Sequence, residues 1–259
     1  MRLRTQWLTE NDCFKAGRTI RVRGVMVHST GANNPRVARY VPGDEVMGWN
    51  TGGNHWNRSG VQKCVHAFVG KFDGGEIGTV QTLPWNRRGW HAASGKKGSA
   101  NDTHIGFEIC EDGLNDPEYF RAVYQEAVEL AAMLCQEHHL DPLADGVVIC
   151  HQEGYRRGIA SNHGDVLHWF PRYGKSMEDF RADTARAMRG EDDQMLSYEQ
   201  FKSYMEQYRK ELGEQAGPAW GREELERARQ MGLSDGSRPM DLASRQEVIS
   251  MIVRAGLTG

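Results

Sequence analysis

Two apolar runs of strand type each end on a histidine, and this recurrence constrains the fold more than any other feature of the chain. The first is Gly24-Val25-Met26-Val27-His28, followed by Ser29 and Thr30; the second is Val147-Val148-Ile149-Cys150-His151. Short, continuous apolar runs are what strands buried on both faces look like. A side chain at the end of such a strand is held by a rigid sheet and still faces open space. Alternation along the second run turns Cys150 away from the face that carries His151. Beyond it, Ser161-Asn162-His163-Gly164-Asp165 is polar and contains glycine, so it reads as loop.

The remaining core elements follow from periodicity. Val65 to Lys71 and Glu76 to Leu83 are strand-like, and Phe72-Asp73-Gly74-Gly75 between them is a hairpin signal. His104 to Cys110 alternates as a strand with Glu108 near its centre. Burying a glutamate there as an ion is costly, which asks for a function or for a buried arginine partner. Pro117 to His138 is an amphipathic helix whose Phe120, Val123, Ala127, Leu130, Ala131 and Leu134 form one stripe, with Asp116 as N-cap and proline in the first turn. A second helix is expected over 176–188, with Phe180 and Ala187 inward. Strands interleaved with helices give an α/β fold, a mixed central sheet flanked by helices. Residues 1–23 read as an arm, and the Gly- and Asn-rich stretch 31–60 as a long loop that walls a cleft, with His55 an exposed loop residue.

At 259 residues the chain has room for a domain of 150 to 200 residues and a smaller companion. The charged break Arg189-Gly190-Glu191-Asp192-Asp193-Gln194 divides residues 1–188 from a small C-terminal helical module over 196–259, with the linker at 189–195. The module reads as three helices, the first carrying Phe201, Tyr204, Met205, Tyr208 and Leu212 at helical spacing. A net charge of -3 supplies no basic excess for nucleic acid. No apolar run is long enough for a signal peptide or a membrane helix, so the expectation is synthesis in the cytoplasm and no membrane partner. Five cysteines without a C-x-x-C pair point to buried free thiols rather than disulfides.

Two strand-end histidines and one loop histidine, His28, His151 and His163, are enough for a three-ligand zinc site with one position left for water. The competing reading is ordinary hydrogen-bonded histidines, since the chain has 10 and most histidines bind nothing.

The phrases VMVHST, GWHAA, HIGFEIC and CHQEGYRRGIASNH, in this order, resemble the zinc-dependent N-acetylmuramoyl-L-alanine amidases of the type 2 family, which includes phage lysozyme-like amidases and peptidoglycan recognition proteins. The likeness covers about the first 185 residues. HSTGANNP and IASNH are similar to phrases of endolysins from phages and prophages of clostridia-like bacteria. The resemblance implies a Zn2+ hydrolase that cleaves the amide between N-acetylmuramic acid and L-alanine in peptidoglycan, acting on the wall after release from the cell. It carries the ligands over to His28, His151 and His163, with Asp165 as the fallback third ligand, and the base and proton shuttle to Glu108. His66 stands where some relatives have a site-lining tyrosine and becomes a catalytic candidate; Trp90 and His91 match a Trp-His phrase of the substrate wall. Ser161 stands where some relatives have a lysine. The C-terminal helices faintly resemble wall-targeting modules, and a homodimer through them is the other expectation. The rival to the enzyme is a non-catalytic peptidoglycan-binding protein of the same fold; a third reading, an interaction protein built on the tail, leaves the strand-end histidines unexplained.

Overall fold

A computed structural model describes residues 1–190 and 198–256, which cluster into two compact units, Met1–Asp192 and Asp193–Gly259. The first unit is built on a six-stranded sheet. Its elements are β1 (Leu3–Thr5), α1 (Asp12–Ala16), β2 (Gly24–Ser29), β3 (Ala67–Lys71), β4 (Ile77–Gln81), β5 (His104–Ile109), α2 (Pro117–Glu137), β6 (Val148–Cys150), α3 (His151–Arg157) and α4 (Met177–Met188). The strand order is β1-β4-β3-β5-β2-β6. β3 and β4 form the antiparallel hairpin, and the other pairings are parallel. The sheet is therefore mixed, as the interleaved pattern implies.

Alternation assigns the two faces. Val25, Val27, Ala67, Val69, Ile105, Phe107, Ile109, Val148 and Cys150 join α2 and α4 in the main core, where α2 supplies Phe120, Val123, Ala127, Leu130, Ala131 and Leu134. Each large apolar side chain buried there contributes roughly 1.5–3 kcal/mol. Asp116 caps α2 by accepting from the backbone N–H of Glu118 and Tyr119, at 3.0 Å each, and Ser176 caps α4. The opposite face carries Met26, His28, His66, Phe68 and Glu108, covered by the long loop through Val37, Tyr40, Val41 and Met47. All five cysteines are free thiols, and four are buried.

Two local differences from the sequence expectation have simple causes. The arm contains a strand: β1 pairs in parallel with β4 and is anchored where Glu126 of α2 accepts from the Arg2 backbone N–H at 2.9 Å and from Thr79 Oγ1 at 2.8 Å. Its three residues are all exposed, so no burial pattern marks it. His151 is the first residue of α3 rather than the start of a loop, because Cys150 and Glu153 close a capping box at that point.

The second unit contains α5 (Tyr198–Glu214), α6 (Arg222–Gln230) and α7 (Arg245–Arg254). Arg209 and Arg238 both pair with Asp241 and tie its segments together. Phe201, Tyr204, Tyr208, Trp220, Ile249 and Ile252 are exposed. Most of the expected linker, together with residues 196 and 197, lies outside the described residues. Among the described residues, no helix is long and apolar enough to cross a membrane.

Candidate active site

β2, β5 and β6 run in the same direction, so their carboxyl ends open at one edge of the sheet, where open α/β sheets place their sites. His28 lies one residue from the end of β2, and His151 directly follows β6. Asp165 arrives from a short 3-10 turn, Asp165–His168, with φ 43°, a left-handed backbone that a short polar side chain tolerates better than most. These residues bring three donor atoms together. His28 Nδ1 lies 3.2 Å from His151 Nδ1 and 3.3 Å from Asp165 Oδ2, and His151 Nδ1 lies 3.0 Å from Asp165 Oδ2. Donors on a tetrahedral ion with bonds of about 2.0–2.1 Å stand roughly 3.3 Å apart, so this triangle has the size and the N/N/O chemistry that fit such an ion.

Outer hydrogen bonds fix the tautomer of His28 and hold the ring of His151. His91 Nε2 lies 3.2 Å from the His104 carbonyl, which only accepts, so His91 carries its proton there. His91 Nδ1 then accepts from His28 Nε2 at 3.0 Å, which leaves the His28 Nδ1 lone pair for the triangle. The His91 ring rests on Gly106, where a Cβ would come within 2.4 Å of Nδ1; only glycine leaves that space. On the other side, His151 Nε2 lies 3.1 Å from Ser161 Oγ, and Ser161 Oγ lies 2.9 Å from His163 Nδ1. His163 thus sits behind His151, linked to its far nitrogen, while Asp165 completes the triangle.

Charge follows the same geometry. Burial pushes the His28 pKa below the ordinary imidazole value, although Asp165 pulls it upward, and His91 is held well below it by burial and by His28. For Asp165 burial would raise the pKa, but the two imidazoles of His151 and His28 against Oδ2 outweigh it and hold the group below the usual carboxylate range. Glu108 is the reverse: burial first, then the charges of Asp165 and Glu111, push its pKa well above the usual carboxylate range, against a smaller opposite pull from Lys63. Its Oε2 is buried with no hydrogen-bond partner among the described residues. No arginine pairs with it there, so the structural ion pair considered from sequence is absent among those residues.

The structure does not bring His66 or Trp90 to this group. His66 is fully buried beneath Gly106: its Nδ1 accepts from the Gly106 N–H at 3.0 Å, and its Nε2 donates to the Arg87 carbonyl at 2.7 Å. Both ring nitrogens are therefore in use, and burial lowers its pKa to about 4. Trp90 stacks under Arg88 and lines a separate groove of about 230 Å3 with Cys13 and Arg18. His91 does reach the site, as the support of His28. Spacing could not reveal that part, because the contact depends on the register of β5 against β2 and on the bare Gly106.

A family profile described as N-acetylmuramoyl-L-alanine amidase matches residues 18–166, more than half of the chain and including His28, Glu108, His151 and Asp165. The chain belongs to this amidase family. Among solved structures, it is similar to PlyL at 18% identity, with 71% of this chain and 96% of that chain covered and a TM-score of 0.50. It also matches the catalytic domain of XlyA, at 20% identity over 71% of this chain and 99% of that one (TM-score 0.49), and the hydrolase AmiA of Staphylococcus aureus in complex with its ligand, at 20% identity over 73% and 86% (TM-score 0.48). No curated protein matches the sequence. At such identities the PlyL likeness speaks for the fold of the amidase unit, and the residues of the site have to be argued from its own geometry.

Proposed function

We propose that this chain is a peptidoglycan amidase that cleaves the bond between N-acetylmuramic acid and L-alanine, with zinc held by His28 Nδ1, His151 Nδ1 and Asp165 Oδ2. The observation that carries the reading is the donor triangle standing beside a buried, partnerless Glu108 oxygen, within the segment that matches the amidase family. A zinc ion bound there would supply the positive charge that acidifies a water and polarises the amide carbonyl.

The chain's own residues supply the rest. Asp165 stays ionised at neutral pH and burial favours the neutral form of His28, the protonation states that ligation needs of them. His91 and Ser161 hold the two imidazoles in orientation, the part that outer hydrogen bonds play around metal ligands. Glu108, with its raised pKa, accepts a proton from the attacking water and returns it to the departing nitrogen, which turns an amide ion into an amine. A carboxyl tuned upward by burial can do both at neutral pH. The long loop over the same face walls the cleft. Acting on the wall after release, and a wall-targeting or dimerising part for the C-terminal unit with its exposed Phe201, Tyr204, Tyr208 and Trp220, complete the proposal.

The test is product analysis on a soluble muramoyl peptide. A new N-terminal alanine together with a newly freed muramic acid carboxyl supports the reading, provided that a chelator stops the reaction and zinc restores it. Release of sugar from sugar, or cleavage unaffected by exhaustive metal removal, overturns it.

A further inference from the structure

Beside the proposed ligands lies a second concavity that the mechanism leaves unused. It encloses about 620 Å3 between the loop after His91 and the end of α3, and Lys96, Lys97, Tyr155, Arg156, Arg157 and Ser161 line it. Ser161 belongs to both places: its hydroxyl touches His151 Nε2 on one side and the groove on the other. The groove therefore starts one side chain away from the donor triangle.

Its charge is one-sided. Of the four cations, Arg157 is held by both oxygens of Asp145, whereas Lys96, Lys97 and Arg156 have no ion pair among the described residues. A chain of net charge -3 gathers this excess locally, so it is not a by-product of a basic surface. The shape is fixed by backbone as well. Gly95 packs so close to Gly158 that a Cβ would come within 2.2 Å of its carbonyl oxygen. Lys97 N–H donates to that same carbonyl at 2.7 Å, and Ala100 N–H to the Ile159 carbonyl at 2.8 Å. Backbone contacts thus fix the wall of the groove, and only the exposed cation side chains have to order on binding. Tyr155, 46% exposed, adds an apolar wall.

We propose that this groove binds a carboxylate on the peptide side of the substrate and so sets which muramoyl peptides the enzyme prefers. The inference rests on the amidase reading for the identity of the substrate. The choice of side follows from chemistry: the acid of the muramic acid is consumed in the scissile amide and its acetylated amine is neutral, while a peptide keeps its terminal carboxylate and any acidic side chains. An extended chain advances about 3.3–3.6 Å per residue, so the first few residues beyond the scissile bond span a groove that opens at Ser161.

The test compares a muramoyl tripeptide bearing free carboxylates with the same compound carrying amides in their place, on the full chain and on a Lys96→Gln, Arg156→Gln double variant. Both residues are exposed, and their side chains take no part in hydrogen bonds or ion pairs within the described fold. The parent should show a KM about tenfold lower for the free acid, equivalent to roughly 1.4 kcal/mol, and the double variant should lose that preference while kcat moves little. Equal KM values in the parent, or a preference that survives in the variant, overturn the proposal. A titration with the free tripeptide separates this from the amidase reading: if neither compound is hydrolysed but the tripeptide binds the parent, weakens with salt and fails to bind the variant, the groove stands and the amidase reading falls. Inorganic phosphate that binds more tightly than the tripeptide and displaces it would assign the cations to a phosphate source instead and overturn the proposal.

Discussion

Glu108 stands on the same rung of the parallel ladder as His28, so the two side chains leave adjacent strands on one face of the sheet, and the His28 ring reaches the donor triangle. This register puts a titratable carboxyl on the strand next to His28 without any loop to position it. Glu108→Gln keeps the shape and removes the titration. The variant should fold, bind zinc as the parent does, and lose about two to four orders of magnitude in turnover, the range for a positioned general acid or base. Zinc content, melting temperature and turnover measured on one preparation decide the matter. Turnover within a few-fold of the parent, with zinc bound, would remove Glu108 from the mechanism.

Asp165 and His163 are two residues apart, and the geometry separates their parts. Asp165→Ala opens the triangle, so zinc content after dialysis should fall far more than in His163→Ala, which removes the outer contact through Ser161 and the ring packed on His151. The opposite ranking in metal analysis would make His163 the third ligand.

His91→Phe tests the support of His28. Phenylalanine keeps an aromatic ring over Gly106 but cannot accept from His28 Nε2. Loss of an outer partner of this kind typically costs about 10- to 100-fold in metal affinity. A zinc dissociation constant unchanged from the parent would show that His28 is oriented by packing alone.

How much of this was legible beforehand depended on what each residue's role rests upon. The sheet, α2 and its cap show as periodicity because burial repeats along the chain. The two strand-end histidines show for the same reason, since apolar runs frame them. Asp165 was visible only as a fallback: a carboxylate in a polar loop looks like any solvated residue until the turn with φ 43° swings it toward His28 and His151. His66 illustrates the converse. The family resemblance makes it a catalytic candidate, yet both of its nitrogens meet backbone groups contributed by segments 21 and 40 residues away, contacts that no local pattern records.

That burial of His66 has a pH signature. Its pKa in the folded chain is lowered to about 4, below the ordinary value of about 6.5, so between these limits the unfolded chain binds the proton and the folded chain does not. The stability that the neutral ring contributes is complete above about pH 6.5 and is lost as the pH falls toward 4, on the order of 3 kcal/mol in all. Buried His28, His91 and His104 shift in the same direction and add to the slope. Metal-free protein should therefore show a melting temperature that falls steadily from pH 7 to pH 4.5. A flat profile would mean that these rings titrate in the fold as they do in the unfolded chain.

The two compact units make the last expectation quantitative in its contrast. Every residue assigned to the site lies within residues 28–165, and the sheet, α2 and α4 are complete by Met188, whose carbonyl accepts from Gln136 Nε2 at 2.8 Å. A chain ending at Gly190 keeps that contact and should fold and cleave soluble muramoyl peptide at the rate of the full chain. Its action on intact cell walls should fall, because a tethered second contact raises local concentration by linkage and leaves the chemistry unchanged, with gains of about 10²-fold or more when both contacts engage. The exposed Phe201, Tyr204 and Tyr208 on α5 and Ile249 and Ile252 on α7 are the surface available for that contact. Wall turbidity and soluble turnover measured side by side separate the alternatives. A parallel loss of both would show that the C-terminal unit supports the fold of the first, and equal activity on both, with a change from dimer to monomer in sedimentation, would make it a dimerisation module instead.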